Sequence, residues 1–190
     1  MIRDDPIMAR LVAEYGELGR EVSGDYFAEL VGQIIGQQLS VKAAATIRQR
    51  VIDLMGGRVV PQSVLAISDE EYRAAGMSNS KTRYIKNIAT AVVERTLELD
   101  NLQNMSDEEV ITQLTQIKGI GRWTAEMFLM FSLGRPDVFS VGDLGLKNAV
   151  KRLYGVVTEP EILEVAKKWS PHRSKASLYL WRYLDNAPMK

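Results

Sequence analysis

Apolar residues recur along this chain at helical spacing, and no stretch sustains the alternation expected of a strand. A first helix is predicted from Pro6 to about Leu18. Ser23 is placed to cap a second, whose Tyr26, Phe27, Leu30, Val31, Ile34 and Ile35 form one apolar face. After a break at Gly36-Gln37-Gln38-Leu39, Ser40 is a suitable cap for a helix from Val41 to Leu54, which Gly56-Gly57 ends. Ser68-Asp69-Glu70-Glu71 and Ser106-Asp107-Glu108-Glu109 have the spacing of capping boxes. They predict a short helix after Ser68 and another that reaches Thr115. Between them Ser80 opens a longer helix to about Leu97. Further helices follow at Arg122 to Leu133, Leu144 to Leu153, Glu159 to Trp169 and Pro171 to Asp185. The pattern is that of an all-α chain of about ten helices with short connections. No fixed-period repeat suggests a solenoid.

Composition narrows the function classes. Hydrophobic residues make up 46% and charged residues 25% of the 190 residues, enough for a substantial core. There is no Cys, which excludes disulfides, zinc–thiolate sites and cysteine-bound iron–sulfur clusters. The single His excludes a multi-histidine metal site. No apolar run is long enough to cross a bilayer, and the charged N-terminus lacks a signal-peptide core, so an intracellular location is expected. The net charge of zero is unevenly spread. From Ile117 onward there are 12 Lys and Arg against 7 Asp and Glu; the preceding part holds 12 against 17. A basic C-terminal half is compatible with a polyanion partner.

The stretch Leu114 to Leu146 concentrates the candidate chemistry. Lys118-Gly119-Ile120-Gly121 is a short glycine turn that opens a helix. Such a turn points backbone N–H groups outward, which suits an anion, and Lys118 and Arg122 add positive charge on either side. Ile120 is placed to plug the turn into the core. Beyond Gly134-Arg135-Pro136 and the apolar Val138 to Val141 come Gly142 and Asp143. On residue types alone, Asp143 is a good N-cap for the helix that follows.

The pattern Leu114-x-x-Ile117-Lys-Gly-Ile-Gly-Arg-Trp-Thr-Ala resembles the helix-hairpin-helix motif, which holds a DNA strand through backbone N–H groups without reading sequence. Asp143, about twenty residues beyond Gly121, resembles the conserved-aspartate segment of the helix-hairpin-helix (HhH-GPD) DNA glycosylases. Ile34-Ile-Gly-Gln-Gln-Leu-Ser-Val-Lys-Ala-Ala is similar to the first core helices of that superfamily. Trp169-Ser-Pro-His-Arg-Ser-Lys-Ala-Ser-Leu-Tyr-Leu-Trp181 resembles the closing helix of its 3-methyladenine DNA glycosylase II type. The resemblance covers roughly Tyr26 to Leu184. It implies one two-lobed glycosylase unit over residues 1–190, with its active site in the cleft between the lobes. A central helical lobe of about 30–134 would carry the hairpin near 115–123, and 1–29 plus 135–190 would form the second lobe.

The activity so implied is hydrolysis of the N-glycosidic bond of alkylated bases, 3-methyladenine and also 7-methylguanine, in damaged double-stranded DNA. Asp143 would be the catalytic carboxylate. Trp123, Trp181 and Met127 would form the base pocket, with aromatic faces suited to cationic bases. Gln38 and Leu39 would enter the DNA stack. Lys118, Gly119, Gly121, Arg122, Thr124 and Arg173 would contact the DNA backbone. The carbonyls of Thr115, Ile117 and Ile120 would hold a structural Na⁺ or K⁺; no cofactor is required. Lyase-competent relatives carry a Lys where this chain has Trp123. A monofunctional enzyme without lyase activity is therefore expected, acting as a monomer where the DNA is: cytoplasm and nucleoid, or a nucleus. The chain departs from the family at Gly142, often acidic in 3-methyladenine members, and at Met127, often aromatic. Alternatives are the same scaffold acting on hypoxanthine, ethenoadenine or another damaged base, a non-catalytic DNA-binding module, and a helical scaffold for protein partners.

Overall fold

The computed structural model describes residues 2–19, 22 and 24–186. Among these there are eleven α-helices, two 3₁₀ segments and no strand. The helices are α1 Pro6–Tyr15, α2 Tyr26–Gly36, α3 Val41–Leu54, α4 Pro61–Ala66, α5 Asp69–Ala74, α6 Asn79–Val93, α7 Asp107–Thr115, α8 Arg122–Phe131, α9 Leu144–Tyr154, α10 Glu159–Lys167 and α11 Arg173–Asn186. The chain divides into two compact units. One comprises Met1–Val22 with Leu129–Lys190, and the other Ser23–Phe128. Both boundaries lie earlier in the chain than the sequence suggests.

In the unit Ser23–Phe128, α2 is the most apolar helix and packs against α3 and α6. It buries Phe27, Leu30, Val31, Ile34 and Ile35. The N-cap of α2 is Asp25, whose carboxylate accepts from the Ala28 N–H at 3.0 Å. The expected cap, Ser23, lies outside the described residues. In α5 and α7 the Ser-x-x-Glu boxes close as expected: the Ser68 and Ser106 N–H groups donate to Glu71 and Glu109 at 2.9 and 2.7 Å.

Two local expectations in this unit need correction. The cap of α6 is Ser78, which accepts from the Lys81 N–H at 3.3 Å, because a side chain reaches the N–H of the third helical residue from the position just before the helix; Ser80 lies inside the first turn. The same helix stops at Val93, four residues short of Leu97. Arg95 takes a left-handed φ of 57°, and the N–H groups of Thr96 and Leu97 both turn back to the Ala91 carbonyl. Leu97 is buried without being helical, so its apolar character misleads a periodicity argument. The helix α4 and the 3₁₀ segment Leu99–Asn104 are too short to show a period.

In the other unit, α9 packs against α10 and α11, and α11 against α1. Their core centres on the fully buried Trp169, whose ring meets Phe139 edge-on at 5.7 Å and Tyr154 at 5.9 Å. Helix α1 ends at Tyr15 because Gly16 turns left-handed at φ 71°. Helix α11 begins at Arg173, later than Pro171, because the loop before it is stitched to residues 135–138. The Arg173 N–H donates to Asp137 Oδ1 at 3.1 Å, and the Ser174 N–H to the Pro136 carbonyl at 3.0 Å. The buried Ser174 hydroxyl donates to the Arg135 carbonyl at 2.6 Å. The Arg173 guanidinium grips both oxygens of Asp137, at 2.8 and 2.9 Å, and the Ser170 hydroxyl donates to Oδ2 at 2.7 Å.

Burial alone would raise the Asp137 pKa. The Arg173 guanidinium, the Ser170 hydroxyl and the Arg173 N–H outweigh it and hold the pKa at about 2. The folded value lies below the unfolded value, ~3.9. The stabilisation is therefore complete above about pH 4 and is lost as pH falls through about 2. We expect Asp137→Asn to cost on the order of 1–2 kcal/mol at pH 7, allowing for partial exposure of the pair. Urea unfolding across pH 2–6 checks this: the gap between wild type and variant closes towards pH 2, and a pH-independent gap counts against the pairing as its source.

Candidate functional site

The hairpin lies within the unit Ser23–Phe128, between α7 and α8. Its turn is closed by the Ile120 N–H donating to the Ile117 carbonyl at 3.0 Å, and Ile120 itself is buried. The two glycines have different roles. Gly119 sits at φ 114°, where L side chains are strained, and a Cβ there would lie 2.2 Å from Cγ of Tyr84. Gly121 has no such φ, and a Cβ there would meet open space. Gly119 is thus required by the fold, whereas Gly121 leaves the approach to the α8 N-terminus open. From α6, Asn87 adds a second brace, its side-chain N–H donating to the Lys118 carbonyl at 3.1 Å.

The charges around the hairpin differ from their sequence reading. Lys118 is exposed. Arg122 is bound to carboxylates: its guanidinium forms a fork with Glu108 at 3.1 and 2.5 Å and donates from Nε to Glu126 at 2.9 Å. The Glu108 carboxylate is the main cause of the raised Arg122 pKa and is itself held below the usual carboxylate range. Thr124 is only 3% exposed, and its Oγ1 accepts from Gln37 Nε2 at 3.1 Å, so this hydroxyl serves the fold. The Thr115 hydroxyl likewise donates back along α7 to the Ile111 carbonyl at 2.7 Å.

Gly36-Gln37-Gln38-Leu39 forms the corner between α2 and α3. Gln38 has a left-handed φ of 56°, and both Gln38 and Leu39 are exposed. With Gly119, Gly121 and Thr124, Gln38 lines one polar depression of about 670 Å³. Lys81 and Tyr84 of α6 complete it, and neither is marked by any sequence motif. Lys81 Nζ donates to the carbonyls of Ile35 and Gln37 at 2.8 and 2.6 Å. On α8, Trp123 is 41% exposed and Met127, one turn on, is 6% exposed.

In the other unit Asp143 is the N-cap of α9. Its Oδ1 accepts from the Leu146 N–H at 2.8 Å and from the Trp181 indole N–H at 3.1 Å. The carboxylate therefore meets the positive end of α9 and a side-chain donor together. The Trp181 ring stacks on Phe131 with centroids 5.8 Å apart and planes at 30°. At Gly145 a Cβ would lie 3.0 Å from Asp143 Oδ1 and 3.3 Å from the Trp181 ring, so only glycine lets the pair close without displacement. Gly142 faces open space. Sequence reasoning brought Asp143 and Trp181 forward separately; it missed Phe131 and Gly145, which an aromatic and a glycine in otherwise ordinary helical positions do not announce. The Arg173 guanidinium is held by Asp137, as described above. The arrangement supplies an oriented carboxylate in one unit and a braced glycine turn at a helix start in the other.

The family model of the HhH-GPD superfamily base excision DNA repair proteins matches residues 31–172. The chain is 35% identical over 162 residues to a putative DNA-3-methyladenine glycosylase of Bacillus subtilis, covering 80% of this chain and 56% of that protein. The chain thus spans little more than half the length of that relative. A DNA-3-methyladenine glycosidase crystal structure from Bacillus halodurans superposes with a TM-score of 0.85 at 40% identity, over 97% of this chain and 87% of that one. The 3-methyladenine DNA glycosylase of Schizosaccharomyces pombe, solved in complex with abasic DNA, gives a TM-score of 0.88 at 33% identity, over 98% and 95% of the two chains. The chain belongs to the HhH-GPD superfamily of base excision DNA repair proteins.

Proposed function

We propose that this protein is a monofunctional DNA glycosylase that releases alkylated bases, 3-methyladenine and 7-methylguanine, from duplex DNA. The observation that carries the reading is the Asp143 carboxylate, held at the start of α9 by Leu146 and Trp181 in a chain of this superfamily. The names of its relatives support the alkylated substrate. In the reaction the bond between the sugar C1′ and the base nitrogen breaks, and its electron pair leaves with the base. An N-alkylated purine is cationic, so it departs neutral, and the positive charge passes to the sugar as an oxocarbenium ion. Asp143 opposes that charge and orients the water that adds to C1′; the proton of that water passes to the carboxylate and then to solvent.

The aromatic face of Trp123 attracts the cationic base once it is flipped from the stack. Trp181 has a double role: a wall for the base and a donor to Asp143. Trp lacks the amine that would form a Schiff base with the sugar, which favours water as the nucleophile. The N–H groups at Gly119 and Gly121 bind one strand, with Lys118 supplying charge; Arg122 approaches the phosphates with its charge already balanced by Glu108 and Glu126. Na⁺ or K⁺ at the carbonyls of Thr115, Ile117 and Ile120 is part of this proposal. These are hard oxygen donors, and the Ile117 carbonyl keeps a second lone pair beside its bond from Ile120. No helix among the described residues is long and apolar enough to cross a membrane. We place the protein inside the cell as a monomer acting on DNA.

Base release from methylated duplex DNA is the direct test. Wild type is expected to release free methylpurine and leave unbroken strands carrying abasic sites. Asp143→Asn should slow release by at least about 100-fold while still binding DNA. Equal release by both proteins sinks the role of Asp143; binding without release by wild type favours a DNA-binding module. Lys118→Ala should reduce the slope of log affinity against log salt by about 1, the signature of one lost phosphate contact. An unchanged slope removes Lys118 from the DNA interface.

A further inference from the structure

The corner between α2 and α3 has the geometry of a type II turn. Gln37 has φ −51° and ψ 131°, Gln38 follows at φ 56°, and the Leu39 N–H donates to the Gly36 carbonyl at 3.2 Å. The third residue of a type II turn needs a positive φ and is ordinarily Gly or Asn. Here it is Gln, whose Cβ makes that conformation costly. The same four residues can form a type I turn, in which the Gln37–Gln38 peptide is rotated and Gln38 relaxes to a negative φ.

Lys81 opposes that rotation. Its ammonium donates to the Ile35 carbonyl at 2.8 Å, at the end of α2, and to the Gln37 carbonyl at 2.6 Å. The Gln37 carbonyl belongs to the one peptide that differs between the two turns, and rotating it breaks the shorter bond. These are charge-assisted bonds from a lysine that is half-buried, and desolvation lowers its pKa. A second tie acts on the same residue: Gln37 Nε2 donates to Thr124 Oγ1 of α8. Lys81, in the first turn of α6, therefore reaches a corner more than forty residues away in sequence.

We propose that Lys81 is a positioning residue for base flipping: by fixing the Gln37 carbonyl it holds the strained turn that aims Gln38 and Leu39 into the DNA stack. The inference rests on the reading of the chain as a base-flipping glycosylase. Lys81 is not assigned a phosphate, and its ammonium is directed at protein carbonyls.

The test measures affinity for duplex DNA with and without an abasic site, for wild type, Lys81→Met, Leu39→Ala and the double variant, each with its thermal unfolding midpoint. Lys81→Met is expected to cut the preference for abasic over intact DNA by about tenfold, the effect of losing one charge-assisted bond. Its affinity for intact duplex and its salt slope should stay as in wild type. If Lys81 acts through the turn, the double variant loses no more preference than Leu39→Ala alone. Additive losses overturn the proposal, as does a lower salt slope in Lys81→Met, which would mean a direct phosphate contact. Gln38→Gly covers the case of a poorly folded Lys81→Met, because glycine adopts the left-handed turn unaided. Lys81→Met combined with Gln38→Gly should then match Gln38→Gly alone, and a further drop overturns the proposal. Wild type that does not prefer abasic DNA rejects the underlying glycosylase reading instead, which separates the two failures.

Discussion

Gly119, held at φ 114° against the ring of Tyr84, is the contact on which the hairpin depends. Any side chain at that position would have to displace an aromatic ring packed between α6 and the turn, and would be strained besides. With the glycine in place the backbone of the turn lies directly on α6, Asn87 fixes the Lys118 carbonyl, and Ile120 fills the core beneath. The orientation of the turn's N–H groups is then set by the packing of three helices. The turn is thus held from both sides, by Asn87 on its carbonyl and by Ile120 in the core.

The same helix that supports the hairpin also supports the neighbouring corner. Tyr84 and Asn87 face the hairpin, and Lys81, one turn earlier, grips the carbonyls of Ile35 and Gln37. Helix α6 is thus the common support of the hairpin and of the α2–α3 corner. In the other unit the start of α9 plays a comparable part. It supplies Leu146 N–H to Asp143, while Gly145 leaves room for Trp181 to donate to the same oxygen. The cap of α9 and the bond from Trp181 thus share one carboxylate oxygen.

Electrostatics in the structure is more local than the charge count suggests. The basic surplus after Ile117 includes Arg122, Arg173, Lys167 and Lys175, each of which is matched to a carboxylate. For Arg173 the match is structural: Asp137 joins the start of α11 to the loop before α9 through both side chain and backbone. A surplus of basic residues therefore overstates the positive surface available to a polyanion, and Lys118, exposed at the hairpin, matters more than its share of the total.

Most of the helices, the hairpin, the position of Asp143 and the family are legible in the order of amino acids alone. These depend on signals confined to a few neighbouring residues: apolar spacing, Ser-x-x-Glu boxes, and glycines in a fixed relation to a following helix. The sequence alone misplaces the cap of α6 and the ends of α1 and α6, where a single left-handed residue stops a helix that periodicity would continue. Which polar groups already have partners is a property of the folded chain. Arg122 and Thr124 look available in the sequence and are bonded to Glu108, Glu126 and Gln37. Lys81, Tyr84, Phe131 and Gly145 look ordinary and prove to brace the hairpin, the α2–α3 corner and the carboxylate. Apart from the i,i+4 pair of Arg122 with Glu126, these partners lie apart in the chain, and a hydrogen bond or ring contact such as Gln37–Thr124 or Phe131–Trp181 leaves no local pattern, because what selects the residue is a partner that only folding brings near.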